Sequence, residues 1–286
     1  MTPREEQLRA DICEVGRRVY ARGYVASNDG NISVRLDDTH LLATPKSVSK
    51  GFMTPDMMVV TDMQGRKVAG HRDASTELKM HLAVYEVRPD VNAVVHAHPP
   101  LSTGFAVAGI PLNKSSLAEI IFSLGSVPIA EYATPSTQEL PDAVKKYVTA
   151  HDGLLLANHG ALTCGQDLMN AYFKMETMEH FAQITLVARQ LGRENLISRE
   201  EVDRLQGLRD FYGIKSPAPI CTDPTQISGD GATCQFVEAP ASDGPRIVPS
   251  VVTRPGGSGD AGEIRLTYRE LAALIADAVR QVTRDA

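Results

Sequence analysis

From Leu8 the apolar positions Leu8, Ile12, Val15 and Val19 recur three or four residues apart, and Gly23 stands where a helix C-terminus favours glycine. This spacing predicts an opening amphipathic helix. The period then shortens. Asn31 to Arg35, His40 to Thr44 and Val59 to Asp62 are short alternating stretches, separated by turn signals at Asp37-Asp38 and Gln64-Gly65. They predict a small antiparallel sheet. Helical and strand patterns alternate after it: a helix from about Thr76 to Val87, a strand Ala93 to Ala97, a helix after Pro100 and a strand Val127 to Ala130. A Ser136/Glu139 capping box should open a helix through Tyr147, followed by a strand Gly153 to Ala157 and a long helix Asp167 to Leu191. The body, residues 1–214, is α/β and ends near Gly213.

The texture changes at Lys215. Of the 48 residues 215–262, 14 are Pro or Gly, a level typical of low-complexity linkers. Residues 263–286 return to a helical pattern. Thr267 and Glu270 form a capping box, Leu266 and Leu271 a hydrophobic staple, and Leu271, Leu274, Ile275, Ala278 and Val282 one apolar stripe. The expectation is a tethered helix that needs a partner surface, because a helix this short is marginal alone.

The 286 residues suffice for a sizeable core, with 43% apolar residues and a formal charge of -6. An acidic balance without a basic run excludes the electrostatic footprint of a nucleic-acid surface. No apolar run approaches the roughly 20 residues that span a bilayer, and the charged N-terminal stretch has no apolar signal segment. A cytoplasmic protein acting on a small molecule is expected. Cys13, Cys164, Cys221 and Cys234 lie far apart and form no C-x-x-C pair, so they read as reduced thiols.

Candidate chemistry centres on "NAVVHAHPP". His96 and His98 are two residues apart at the end of a strand pattern and so project from one face. Both imidazoles can reach one metal. His159 follows the apolar run "GLLLA" at a strand-end turn, where a third ligand would converge. Three neutral imidazoles leaving an open position are what a catalytic Zn2+ uses. Glu77 opens the predicted helix in "DASTELKMH", just behind Ser75 and Thr76, where exposed helix N-H groups favour an anion.

These residues resemble the class II (zinc-dependent) aldolase/adducin superfamily, its fuculose-phosphate aldolase branch above all. The resemblance spans about Leu8 to Gly213 and rests on "GNISVR", "ATPKS", "ASTELKMH", "RPDVNAVVHAH", "EYAT" and "LLLANHG", in the family's order. It implies a three-layer α/β fold with a central, mainly antiparallel sheet. It also implies Zn2+ on His96, His98 and His159, completed by Glu77, which then acts as acid/base. The substrate phosphate would lie against Asn31, Lys46, Ser47, Ser75 and Thr76. The family assembly is a homotetramer with sites at subunit interfaces.

Two positions depart from the pattern. The phosphate turn usually reads Thr-Pro-Ser/Thr-Gly, whereas Thr44-Pro45-Lys46-Ser47 lacks the glycine. Lys46 either supplies charge instead or is a solvated lysine. The group that exchanges a proton with the aldehyde oxygen is, in this branch, a tyrosine of the adjacent subunit, yet residues 112–127 contain none. Glu119 is either its substitute or a surface carboxylate. Tyr212, in "FYG", matches a tail tyrosine that helps close the family's site.

The expected reaction is cleavage of a deoxyketose 1-phosphate, L-fuculose 1-phosphate-like, to dihydroxyacetone phosphate and a small aldehyde such as lactaldehyde. Competing readings are epimerase, dehydratase or decarboxylase chemistry on the same scaffold, or a non-catalytic adducin-like interaction module, in which the ligands would be missing. The terminal helix resembles the peptides that recruit cargo to bacterial microcompartment shells. Docking on the enzyme itself is the alternative partner.

Overall fold

The structure, a computed structural model, describes residues 2–220. Thr2 caps the first helix, α1 (Pro3–Ala21), by accepting a 3.2 Å hydrogen bond from the Glu5 amide, with Pro3 at the position where its missing N-H costs nothing. Ile12, Val15 and Val19 are the buried stripe that the spacing predicts.

One sheet of eight strands forms the middle layer: β1 (Asn31–Arg35), β2 (His40–Ala43), β3 (Val59–Asp62), β4 (Lys67–Ala69), β5 (Ala93–Ala97), β6 (Ile129–Ala130), β7 (Gly153–Leu156) and β8 (Gly160–Gly165). Their spatial order is β4-β3-β2-β1-β5-β8-β7-β6. Every pair is antiparallel except β6 with β7. The expected small N-terminal sheet is therefore half of a larger one, because β1 pairs with β2 on one edge and with β5 on the other.

The alternation of strand side chains divides the core in two. Ala93, Val95 and Ala97 of β5 join Ile32, Val34 and Leu155 on the face covered by α1, α3 (Pro100–Ala108), α4 (Ala118–Ser123), α6 (Leu168–Gln190) and α7 (Arg199–Phe211). Val94, Leu154, Leu156 and Leu162 face the other way, against α2 (Leu78–Val87) and α5 (Glu139–Val148). Parity puts His96 on the α2 side with Val94. The resemblance's three-layer α/β architecture is the one observed.

Two local expectations change. The Ser136/Glu139 capping box does not form: α5 begins at Glu139 with Gln138 as its cap residue, and Ser136 Oγ donates instead to Thr76 Oγ1 at 2.9 Å. The predicted helix at Thr76 begins at Leu78, with Glu77 as its cap residue.

Residues 215–220, the start of the proposed linker, have no regular structure and lie against the body. Arg209 donates to the Ser216 carbonyl, Gln206 Nε2 to the Ala218 carbonyl at 3.0 Å, and the Ser126 amide to the Pro219 carbonyl at 2.9 Å. The rest of the linker and the 263–286 helix lie outside the described residues. So do Cys221 and Cys234, while Cys13 and Cys164 are buried free thiols. Among the described residues no helix is long and apolar enough to cross a membrane.

Candidate active site

The site forms where three sheet segments end together. His96 lies in β5 opposite Asn31 of β1 and Leu162 of β8, and His98 follows the strand with its amide donating to the Tyr24 carbonyl at 2.8 Å. His159 sits in the turn between β7 and β8, preceded by Asn158 in the left-handed region (φ 54°). Gly160 makes room for this convergence: a Cβ there would stand 2.5 Å from His98 Cδ2 and 2.7 Å from the Ala97 carbonyl oxygen. Gly30, with φ 73°, lets the chain before β1 pass the β5 end, where a Cβ would lie 2.8 Å from the His96 carbonyl oxygen.

The three imidazoles stand around one point. Ring centroids are 5.0, 4.8 and 5.1 Å apart, and the planes are inclined by 66°, 63° and 66°. One ligand atom of each lies within 4.8 Å of the others. His96 Nδ1 donates to the Ala161 carbonyl at 2.8 Å, which fixes the tautomer and turns a lone pair on Nε2 inward. His98 presents Nδ1 to Asp29 Oδ2 at 3.5 Å. Burial drives the imidazole of His96 well below its ordinary pKa and lowers that of His98, so both favour the neutral form that binds metal.

Glu77 completes the arrangement. Its Oε1 is 3.1 Å from His159 Nε2 and its Oε2 is 3.6 Å from His96 Nε2, while Asn31 Nδ2 donates to Oε2 at 2.7 Å. Burial alone would raise the carboxyl pKa. The His159 hydrogen bond, the fields of His96 and His159 and the Asn31 bond outweigh it and hold Glu77 well below the usual carboxylate range. Three imidazoles and an ionised carboxylate, with donor atoms this close, fit a divalent metal.

The adjoining cleft, of about 240 Å³, is lined by Glu77, His98, Lys46, Ser47, Ser75 and Thr76, all singled out in the sequence. The "ATPKS" and "ASTE" motifs meet because Pro45 and Ala74 form an antiparallel bridge, with the Lys46 amide donating to the Asp73 carbonyl at 2.8 Å and Ser75 N to Thr44 O at 3.3 Å. Ser47, where the resemblance expects glycine, has a left-handed backbone, φ 57°, that glycine would adopt without strain. Asn31 also lines the cleft, but its amide nitrogen is committed to Glu77.

Glu119 and Tyr212 are elsewhere. Glu119 is exposed on α4 and Tyr212, 64% exposed at the end of α7, packs edge-on against Phe122 of α4 with ring centroids 5.5 Å apart. Neither lines the cleft of its own chain. Sequence reasoning missed Asp29, Lys50 and Ser136, which do line it. No periodicity marks a lone aspartate or lysine in a turn, and Ser136 carries a capping signal that points elsewhere.

The class II aldolase and adducin N-terminal domain model matches residues 10–186. The chain belongs to this family. A curated relative, the 5-deoxy-D-ribulose 1-phosphate aldolase of Bacillus thuringiensis serovar kurstaki, is 31% identical over 209 residues, covering 73% of this chain and 98% of the relative. The 3-oxo-tetronate 4-phosphate decarboxylase of Escherichia coli O6:H1 is 29% identical over 187 residues, covering 64% and 88%. Among solved structures, an L-fuculose 1-phosphate aldolase superposes with a TM-score of 0.67 at 30% identity, covering 72% of this chain and 97% of its own. The family and its aldolase relatives identify an enzyme of the lyase class, an aldolase by type. A histidine cluster able to hold a metal is in place, in contrast to the ligand loss expected of an interaction module.

Proposed function

We propose that this class II aldolase cleaves a deoxyketose 1-phosphate to dihydroxyacetone phosphate and a small aldehyde, with Zn2+ held by His96, His98 and His159 and completed at rest by Glu77. The observation that carries this reading is the position of Glu77, ionised between two histidines and beside a cleft rich in hydroxyl and amide donors. A metal bound there would supply the electron sink, polarising the ketose carbonyl so that no Schiff-base lysine is needed. Glu77 moves the proton at C3, the carbon that gains the electron pair when the C3–C4 bond breaks. Ser47, Ser75 and Thr76 orient the phosphate beside the backbone turn at Lys46, and Asn31 reaches it secondarily while aiming Glu77.

Breaking C3–C4 also removes the proton of the C4 hydroxyl. Glu119 and Tyr212 serve this end of the substrate in the neighbour's site of a homotetramer. Their elements pack together through the edge-on contact of the half-buried Phe122 with the exposed Tyr212. A second reading, decarboxylation of a phosphorylated 3-oxo acid, is favoured by the absence of Glu119 and Tyr212 from the lining of their own chain's cleft: losing CO2 requires no such proton exchange, and the E. coli relative is a decarboxylase.

We propose from the sequence pattern alone that residues 215–262 are a linker and 263–286 an amphipathic docking segment for a microcompartment shell protein or for the enzyme itself, with the enzyme in the cytoplasm or within such a compartment. The assignment rests on the capping box, staple and stripe of that segment.

The test is release of dihydroxyacetone phosphate from L-fuculose, L-rhamnulose and 5-deoxyribulose 1-phosphates, with and without a zinc chelator. Chelator-sensitive release from one of them is expected. Release from none by the metal-loaded enzyme would reject cleavage of these deoxyketose phosphates in favour of epimerase, dehydratase or decarboxylase chemistry.

A further inference from the structure

Lys50 opens the 3-10 turn Lys50–Phe52 that follows the 44–47 phosphate turn, and it is only 2% exposed. Its Nζ donates to the Val48 carbonyl at 2.6 Å and the Asn28 carbonyl at 3.1 Å. An ammonium has three N-H donors, so one is left over. The other buried lysine, Lys174, is neutralised by Asp152 at 2.6 Å. Lys50 has no such partner: among the described residues no carboxylate comes within salt-bridge distance of its Nζ. A buried charge is ordinarily paired, because low dielectric makes an isolated ion costly. Here burial pulls the ammonium down to about 8, against the opposing fields of Asp29 and Glu77.

What Lys50 does reach is the cleft, which it lines with Ser47, Ser75, Thr76 and Ser136. Ser47 and Ser136 both hold left-handed backbones, φ 57° and 67°, that glycine would adopt without strain. Each brings a hydroxyl that glycine would not. Strain of this kind persists where the surrounding structure and function sustain it. One buried cation without a salt-bridge partner and four hydroxyl-bearing side chains around a single space are matched by one ligand chemistry, a compact oxyanion of high charge.

We propose that Lys50, and not the exposed Lys46, is the counter-charge for the substrate's phosphate, and that its unspent N-H makes the cleft selective for a phosphoryl group. This rests on reading the cleft as a sugar-phosphate site. The test is calorimetric titration of inorganic phosphate into the metal-loaded full chain, as wild type, Lys50→Gln and Lys50→Met. Gln keeps two N-H donors for the Asn28 and Val48 carbonyls while losing the charge, so a lysine that only braces the loops would be replaced without loss.

The expected result is phosphate binding by the wild type and about 30-fold or weaker binding by either folded variant, a loss typical of a charged hydrogen bond, at unchanged metal content. Wild-type affinity in Lys50→Gln or Lys50→Met, above all beside a loss in Lys46→Gln, would overturn the assignment and leave the sugar-phosphate reading intact. No phosphate binding by the wild type would overturn both.

Discussion

Asn31 donates from Nδ2 to Glu77 Oε2 at 2.7 Å, joining the first residue of β1 to the cap position of α2 across 46 residues of sequence. The amide is itself anchored, because Asn31 pairs in the sheet with His96. The carboxylate that meets the histidines is thus aimed by a strand, not by a mobile loop. A hydrogen bond to a charged group is worth about 1.5–3 kcal/mol, or roughly 10- to 100-fold in rate where it is made to the reacting group. Asn31→Ala should lower kcat by that factor at unchanged metal content, measured by steady-state release of dihydroxyacetone phosphate and metal analysis. Wild-type kcat in the variant would contradict the aiming role.

Gly160→Ala should weaken metal binding. Its Cβ would fall 2.5 Å from His98 Cδ2, and His98 can yield only by leaving the point where the three rings converge. Second-sphere disturbances of this kind cost about 10- to 100-fold in affinity. Competition with a chromogenic chelator measures it, and an unaltered dissociation constant would show that the site relaxes around the extra carbon.

His81 predicts a pH effect on stability. Its Nδ1 meets Ser33 Oγ at 2.7 Å in the layer beneath Glu77, and burial pulls its pKa from 6.5 to about 4, opposed by Glu77. Between those values the unfolded chain binds the proton and the folded chain does not. The neutral histidine's contribution is fully present above pH 6.5 and is lost as pH falls through the window toward 4. The gap corresponds to roughly 3 kcal/mol. In urea unfolding at pH 7 and 4.5, His81→Gln should therefore lose roughly 2–3 kcal/mol less than the wild type. Equal losses would assign the acid sensitivity to other groups.

Much of the fold was legible because its strands alternate cleanly. Asn31 to Arg35, Val59 to Asp62 and Ala93 to Ala97 begin and end in the structure where the pattern places them. β8 escaped notice because "GALTCG" is short, built of small residues and buried throughout, so it shows no amphipathic period. α7 carries few apolar residues, with Val202 fully buried among many charges, and its pattern is correspondingly faint. The candidate ligands His96, His98 and His159 stood out because their spacing at strand ends is meaningful for a metal site. Lys50 did not, since a buried lysine and a solvated one are the same letter and only the fold distinguishes them.

The central claim is that Glu77 moves a proton beside a metal held by three histidines. Glu77→Gln tests it most directly, with metal content and dihydroxyacetone phosphate release measured on the same preparation. The amide keeps the shape and cannot take up the proton, so retained metal with a loss of turnover of at least about 100-fold is expected. Retained metal with wild-type turnover would contradict the claim and require another group to move the proton.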